Sequence, residues 1–135
     1  MKKLISLALA IMLCVGMVSF AAAEVTEVNV WSIYTGDDFR IIQGVVDSFN
    51  AENPDVRINH VATEVGTLYT QMALVAGDAS AAPVACIIHS YQIPTFALRG
   101  VLDPIEEFVT AYGDFSEDLY LSNEAGKVNG VRYGI

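Results

Sequence analysis

Hydrophobic residues in this chain switch repeatedly between two spacings, every second position and every third to fourth, with loop residues at each switch. From 25 to 31, Val28 and Val30 alternate with polar residues and Trp31 closes the run, which predicts a strand. Coming first, it is expected to lie centrally in a sheet. Ser32 to Gly36 reads as a loop, and Asp37-Asp38 sit where acidic side chains favour a helix start rather than a ligand. Phe39, Ile42, Val45, Val46 and Phe49 then recur at helical spacing, with Arg40, Gln43, Asp47 and Asn50 opposite, until Asn53-Pro54 stops the helix. A second strand is expected over 56–63, with Val56, Ile58 and Val61 set against Arg57, Asn59 and His60. Leu68, Met72 and Val75 mark a second helix that stops at Gly77. Val84 to Ile88 is a continuous apolar run, as for a strand covered on both faces. Strands separated by helix-length crossovers call for an α/β fold with a doubly wound, mostly parallel sheet.

The remainder reads as mostly helical. Pro94 suits the first turn of a short helix running to Gly100. Asp103-Pro104-Ile105-Glu106 has the form of a capping box opening a helix toward Tyr112-Gly113, and Asp114 to Leu121 adds a further turn or two. Asn129-Gly130 signals a tight turn before a strand from Val131 to Ile135. The pattern ends in mid-strand, which predicts a truncated sequence. No repeat, low-complexity tract or linker divides the chain.

The hydrophobic content of 53% has a local source. Lys2 and Lys3 precede an uncharged apolar run from Leu4 to Phe20, followed by Ala21-Ala22-Ala23, which is the layout of a secretory signal with cleavage after Ala23. A retained anchor is the competing reading, but the small-residue triplet favours cleavage. Leu13 before Cys14 lacks the small residue of a lipoprotein box. The 112 residues that follow are about half hydrophobic, an ordinary globular composition, so no membrane insertion is expected after cleavage. They carry 5 basic against 16 acidic residues, a net charge of −11 that makes nucleic acid a poor partner. Cys86 is their one cysteine, so a disulfide scaffold is excluded.

In such a sheet, ligands bind beyond the carboxyl ends of the strands. Trp31, Ser32, Tyr34 and Thr35 follow the first predicted strand, Glu64 the second, and His89, Ser90, Tyr91 and Gln92 the third. Aromatic faces cover the C–H faces of a sugar, and short polar groups pair with its hydroxyls, so a carbohydrate or small polyol suits this set. Trp31 could equally end a core strand, and His60 reads as a surface residue. None of these loops holds Lys or Arg, so a phosphorylated ligand suits them less. No spacing supplies a metal site, a cofactor motif or a nucleophile and base pair, so no catalytic residue, metal or cofactor is expected.

Four phrases carry a family resemblance: Val30-Trp31 leading to Gly36, the run from Val46 to Val56 with its Asn53-Pro54-Asp55 turn, Gly100-Val101-Leu102-Asp103-Pro104-Ile105, and Asn129 to Ile135. In this order behind a signal, they resemble the N-terminal part of extracellular (periplasmic) solute-binding proteins of carbohydrate ABC importers, family 1 type. The branch most resembled binds sugars and glycerol-3-phosphate. The resemblance covers essentially all of residues 24–135. It implies a periplasmic-binding-protein-like lobe, incomplete because the second lobe is missing, and ligand contacts from the loops after the first and third strands. Glu64 carries over more weakly. Where the family has Pro-Asp-Val before the third strand, this chain has Pro83-Val84-Ala85, without the acidic group.

The function expected is therefore the substrate-binding component of an ABC transporter. It would capture a sugar or polyol outside the cytoplasmic membrane, in the periplasm or extracellularly, and deliver it to a membrane permease without covalent chemistry. With half a cleft, weak or no sugar binding and marginal stability are expected. The alternatives are a ligand-sensing module feeding a receptor and a secreted α/β hydrolase fragment.

Overall fold

A computed structural model describes residues 24–111 and 123–135. Strand β1, Thr26–Ser32, lies between β2, Val56–Ala62, and β3, Ala85–Ile87, and both pairings are parallel. Helix α1, Gly36–Glu52, connects β1 to β2, and α2, Val65–Leu74, leads from β2 toward β3. The order β2-β1-β3 is doubly wound: the chain moves one strand outward from β1, then crosses to its other side. The expected central first strand and parallel sheet are thus observed.

Register decides which residues share a face. Val28 pairs with Ile58 and Val30 with His60, while Trp31 pairs with both Val61 and Cys86. The first face receives α1, whose Phe39 ring stacks on His60 with centroids 5.2 Å apart. On the second, Leu68 and Met72 of α2 and Phe96 form a buried cluster against which Trp31, Ile33, Cys86 and Ile88 pack. Fully burying a side chain such as Leu68 contributes about 1.5–3 kcal/mol.

In the sheet and its first two helices, four details differ from the sequence reading. His60, not Val61, takes the inward position of β2, because the side-chain period of two set by Val56 and Ile58 continues through it; Val61 is 51% exposed. Val45 lies on the solvent side of α1, leaving Val46 as that helix's buried residue. Helix α2 ends at Leu74, and Gly77 takes its positive φ of 84° in the turn beyond. The apolar run around Cys86 forms only a three-residue edge strand, with Val84 74% exposed and no second strand neighbour among the described residues.

Beyond β3, a short 3-10 turn at Ser90–Gln92 leads into α3, Ile93–Leu98, with Pro94 in its first turn as expected. Helix α4 begins at Glu106 and is described to Ala111, so the predicted stop at Tyr112-Gly113 and the turns of 114–121 lie outside the described residues. The proposed capping box is not formed, since Glu106 opens the helix instead of standing at its third position. Its Oε1 accepts from the backbone N–H of Arg132 at 2.5 Å, while Ile105 N–H donates to Arg132 O at 2.9 Å.

Those bonds tie α4 to the hairpin of β4, Lys127–Val128, and β5, Val131–Arg132. Asn129 and Gly130 have φ of 52° and 81°, the paired left-handed conformations of a type I′ turn, so the turn signal holds while the expected strand shortens to two residues. Gly126 N-terminal to β4 touches the returning chain: a Cβ there would lie 2.2 Å from Gly134 O. Among the described residues, no helix is long and apolar enough to cross a membrane. The segment expected to be a secretory signal lies outside the described residues.

Candidate functional site

All three parallel strands end at one edge of the sheet, and the direction of winding reverses between β1 and β3. In sheets wound this way, the loops that follow two such strands run to opposite faces, and ligands bind between them. The loop Ile33–Thr35 emerges on one side and Ile88–Gln92 on the other; the last strand residues below them, Ser32 and Ile87, are paired in register. The structure therefore brings Tyr34 and Thr35 to the same rim as His89, Ser90, Tyr91 and Gln92.

The β3 side is ordered by aromatic contacts. The Tyr69 hydroxyl of α2 lies 2.7 Å from His89 Nδ1 and also receives the His89 backbone N–H at 3.4 Å. The phenol and the imidazole are joined by a hydrogen bond that either partner can donate, and this bond together with the backbone N–H contact fixes the ring's place at the rim. Burial holds the Tyr69 phenol above its ordinary 10.0, which keeps its hydroxyl protonated at neutral pH. Tyr91 stacks on the imidazole, centroids 5.2 Å apart and planes 20° from parallel, and is 67% exposed. The result is a flat aromatic surface beside an imidazole edge, with exposed Ser90 between the two rings in sequence. Gln92 is half-buried and, with Tyr69, Thr95, Phe96 and Arg99, lines a groove of about 530 Å³ between α2 and α3.

Opposite, Tyr34 and Thr35 are exposed, and Thr35 is the N-cap residue of α1 without a side-chain cap bond. Three expected site residues stand elsewhere. Ser32 is wholly buried, its hydroxyl 2.8 Å from His60 Nε2, so its side chain cannot reach a ligand. Trp31 lies within β1 and packs half-buried on the Leu68, Met72 and Phe96 cluster. Glu64 is exposed at the start of α2, above β2, and β1 separates it from the β3 side of the rim.

Sequence reasoning missed two organising residues. Tyr69 adjoins Leu68 on α2, and a helical stripe of Leu68, Met72 and Val75 passes over it. His60 was assigned to the surface, although strict alternation from Val56 and Ile58 places it inward. Among the described residues, no three His, Cys, Asp or Glu side chains cluster to hold a metal ion. The rim can present a ring face, hydroxyls, an amide and an imidazole nitrogen to a polyhydroxylated molecule.

No protein-family model matches this sequence, and no curated protein matches it. Solved structures do. The sugar-binding protein MalE from Xanthomonas citri is 22% identical with a TM-score of 0.70, the match covering 82% of this chain and 28% of that one. An ABC substrate-binding protein from Listeria monocytogenes, in complex with cycloalternan, is 20% identical over the same shares, also with a TM-score of 0.70. A solute-binding protein of an ABC transporter from Agrobacterium vitis, with bound D-mannitol, is 20% identical with a TM-score of 0.63, covering 79% of this chain and 26% of its own. The fold is that of part of one lobe of a sugar-binding ABC substrate-binding protein, and the chain spans little more than a quarter of their length. These neighbours are substrate-binding proteins rather than enzymes.

Proposed function

We propose that this chain contributes one wall of a sugar or polyol site in the substrate-binding component of an ABC importer, working outside the cytoplasmic membrane and handing its ligand to a permease. The observation that carries the reading is the His89–Tyr91 stack after β3, with Tyr91 exposed, at the same sheet edge as the Tyr34–Thr35 loop after β1. Its ring face suits the C–H surface of a pyranose or extended polyol, while His89 Nε2, Ser90, Thr35 and Gln92 suit the hydroxyls. The neighbours' fold supports the same assignment. Closure over the ligand by a facing lobe would bury the other side of the sugar.

The test is a titration of the isotope-labelled chain with maltotriose and with D-mannitol, followed by amide chemical shifts. One wall of a cleft should bind weakly, with Kd on the order of 1 mM. Saturable shifts are expected at Tyr34, His89, Tyr91 and Gln92 for at least one of the two. Shifts at none of these residues up to the solubility of both sugars would overturn the reading. Release of product from a glycoside or ester would do the same for its non-enzymatic character.

A further inference from the structure

The inward His60 of β2 is bonded at both ring nitrogens, and the polarity of each bond follows from the one before it. Asp47 Oδ1 on α1 accepts from Gln43 Nε2 at 2.8 Å, which turns Gln43 Oε1 toward the sheet. That oxygen has no proton to give, so His60 Nδ1, 3.3 Å away, is the donor. A neutral imidazole protonated at Nδ1 has a bare Nε2, and the buried Ser32 hydroxyl, 2.8 Å away, donates to it. Ser32 Oγ is then left with lone pairs, and the backbone N–H of Tyr34 donates to it at 3.3 Å. The relay thus runs from a surface carboxylate to the backbone of the ligand loop, every member satisfied in one sense only. Phe39 stacks on the imidazole and holds the ring plane.

We propose that His60 is a positioning residue for the ligand rim, holding the Tyr34 loop in place through Ser32. The inference rests on the sugar-binding reading for its functional consequence, while the relay stands on its own geometry. Protonating His60 would set an Nε2–H against the Ser32 hydroxyl. Ser32 would have to accept there with one lone pair while Tyr34 N–H holds the other, and its own proton would have to turn elsewhere in a place closed to solvent, rotating the hydroxyl away from its present bond to Tyr34. The geometry of the bond that fixes Tyr34 therefore changes with the charge of the imidazole. Burial holds His60 below its ordinary 6.5, which keeps the ring neutral at neutral pH. On α1 the charged group in the relay is Asp47, while Asp37 and Arg40 pair with each other on its exposed side. The β1 residues on the His60 face, Thr26, Val28, Val30 and Ser32, do not titrate in this range, nor do the β2 residues sharing it, Val56, Ile58 and Ala62.

The test begins without ligand, on the full chain, by long-range proton–nitrogen spectra of the imidazoles. His60 should show the Nδ1–H tautomer at neutral pH, and the Tyr34 amide should titrate with the imidazole midpoint, below 6.5. In Ser32→Ala the imidazole should still titrate while the Tyr34 amide no longer follows. An Nε2–H tautomer, or a wild-type Tyr34 amide that stays still through the imidazole titration, overturns the proposal. Should Ser32→Ala not fold, Gln43→Glu serves instead: a carboxylate facing Nδ1–H should move the His60 midpoint upward and carry the Tyr34 midpoint with it. A Tyr34 midpoint that does not move with His60 again overturns the proposal. Maltotriose is then added on both sides of the midpoint. Absence of binding at either pH counts against the sugar reading alone, whereas equal affinity on both sides counts against the positioning role.

Discussion

Asn50 holds both backbone groups of Ile58: its Nδ2 donates to Ile58 O at 3.0 Å, and its Oδ1 accepts from Ile58 N–H at 2.8 Å. A helix side chain thereby takes the place of a neighbouring strand at the outer edge of β2. The edge is shielded where a second chain could otherwise pair. Asn50→Ala strips two partly buried backbone groups of their partners and should cost about 1–3 kcal/mol in urea denaturation. Asn50→Asp keeps the shape but sets a carboxylate oxygen against a carbonyl, and should cost at least as much. Wild-type stability in Asn50→Asp would show that the pairing contributes nothing.

Leu68 and Leu74 share one helix but differ in surroundings, 0% exposed against 77%. Leu68→Ala leaves a hole among Met72, Phe96 and Trp31, and an expected loss of about 2–5 kcal/mol follows. Leu74→Ala, at the open groove, should stay within about 0.5 kcal/mol of wild type. Thermal unfolding of the two variants side by side checks the ordering.

Much of the fold was legible because it depends on period, and the misreadings have physical causes of their own. Val28 and Val30, the Phe39 to Phe49 stripe and Pro94 announced β1, α1 and α3, since burying one face requires that spacing. Val61 was ranked above His60 for apolarity, but the pleat leaves no choice of face, and Ser32 and Gln43 satisfy the imidazole that it turns inward. Asp103 had the local form of a cap; Glu106 is claimed by the Arg132 backbone, which is distant in sequence and invisible to a local motif. For the rim, position after β1 and β3 was readable, while the Tyr69 hydroxyl beneath His89 was not, because only the packing of α2 brings it there.

Neutral His60 makes stability depend on pH with a definite sign. Its folded pKa lies below the ordinary 6.5, so the unfolded chain binds its proton first as pH falls. The contribution is fully present above 6.5 and is lost as pH drops from there through the lower folded value. His60→Gln should flatten that part of the stability profile, read by urea midpoints across the acid range.

Cys86 packs half-buried behind Trp31, and burial pushes its thiol from an ordinary 9.0 up to about 11. At mildly alkaline pH the folded chain therefore holds on the order of 100-fold less thiolate at this site than the unfolded chain. Iodoacetamide should label Cys86 slowly in the native protein and rapidly in urea, as mapped by peptide mass. Equal rates would place the thiol in water. By the same sign argument, this site lowers stability only as pH rises beyond 9.0.

Tyr91 and Trp31 separate binding from folding. Tyr91 is 67% exposed and stacks on His89 outside the buried cluster, so Tyr91→Ala should leave the unfolding midpoint nearly unchanged. Losing the ring face should weaken maltotriose or D-mannitol binding by about 0.5–1.5 kcal/mol, up to roughly tenfold in Kd. Trp31 packs against Leu68, Met72 and Phe96, so Trp31→Ala should act as a core truncation, with a loss of about 3 kcal/mol. Partial occupancy of the folded state then accounts for any fall in sugar binding. Tyr91→Phe, which keeps the ring and removes the hydroxyl, should retain most of the affinity if the ring face is the recognising surface. Were Tyr91→Phe as weak as Tyr91→Ala, hydrogen bonding through the phenol would be the contact that matters, and the stack would serve to aim it.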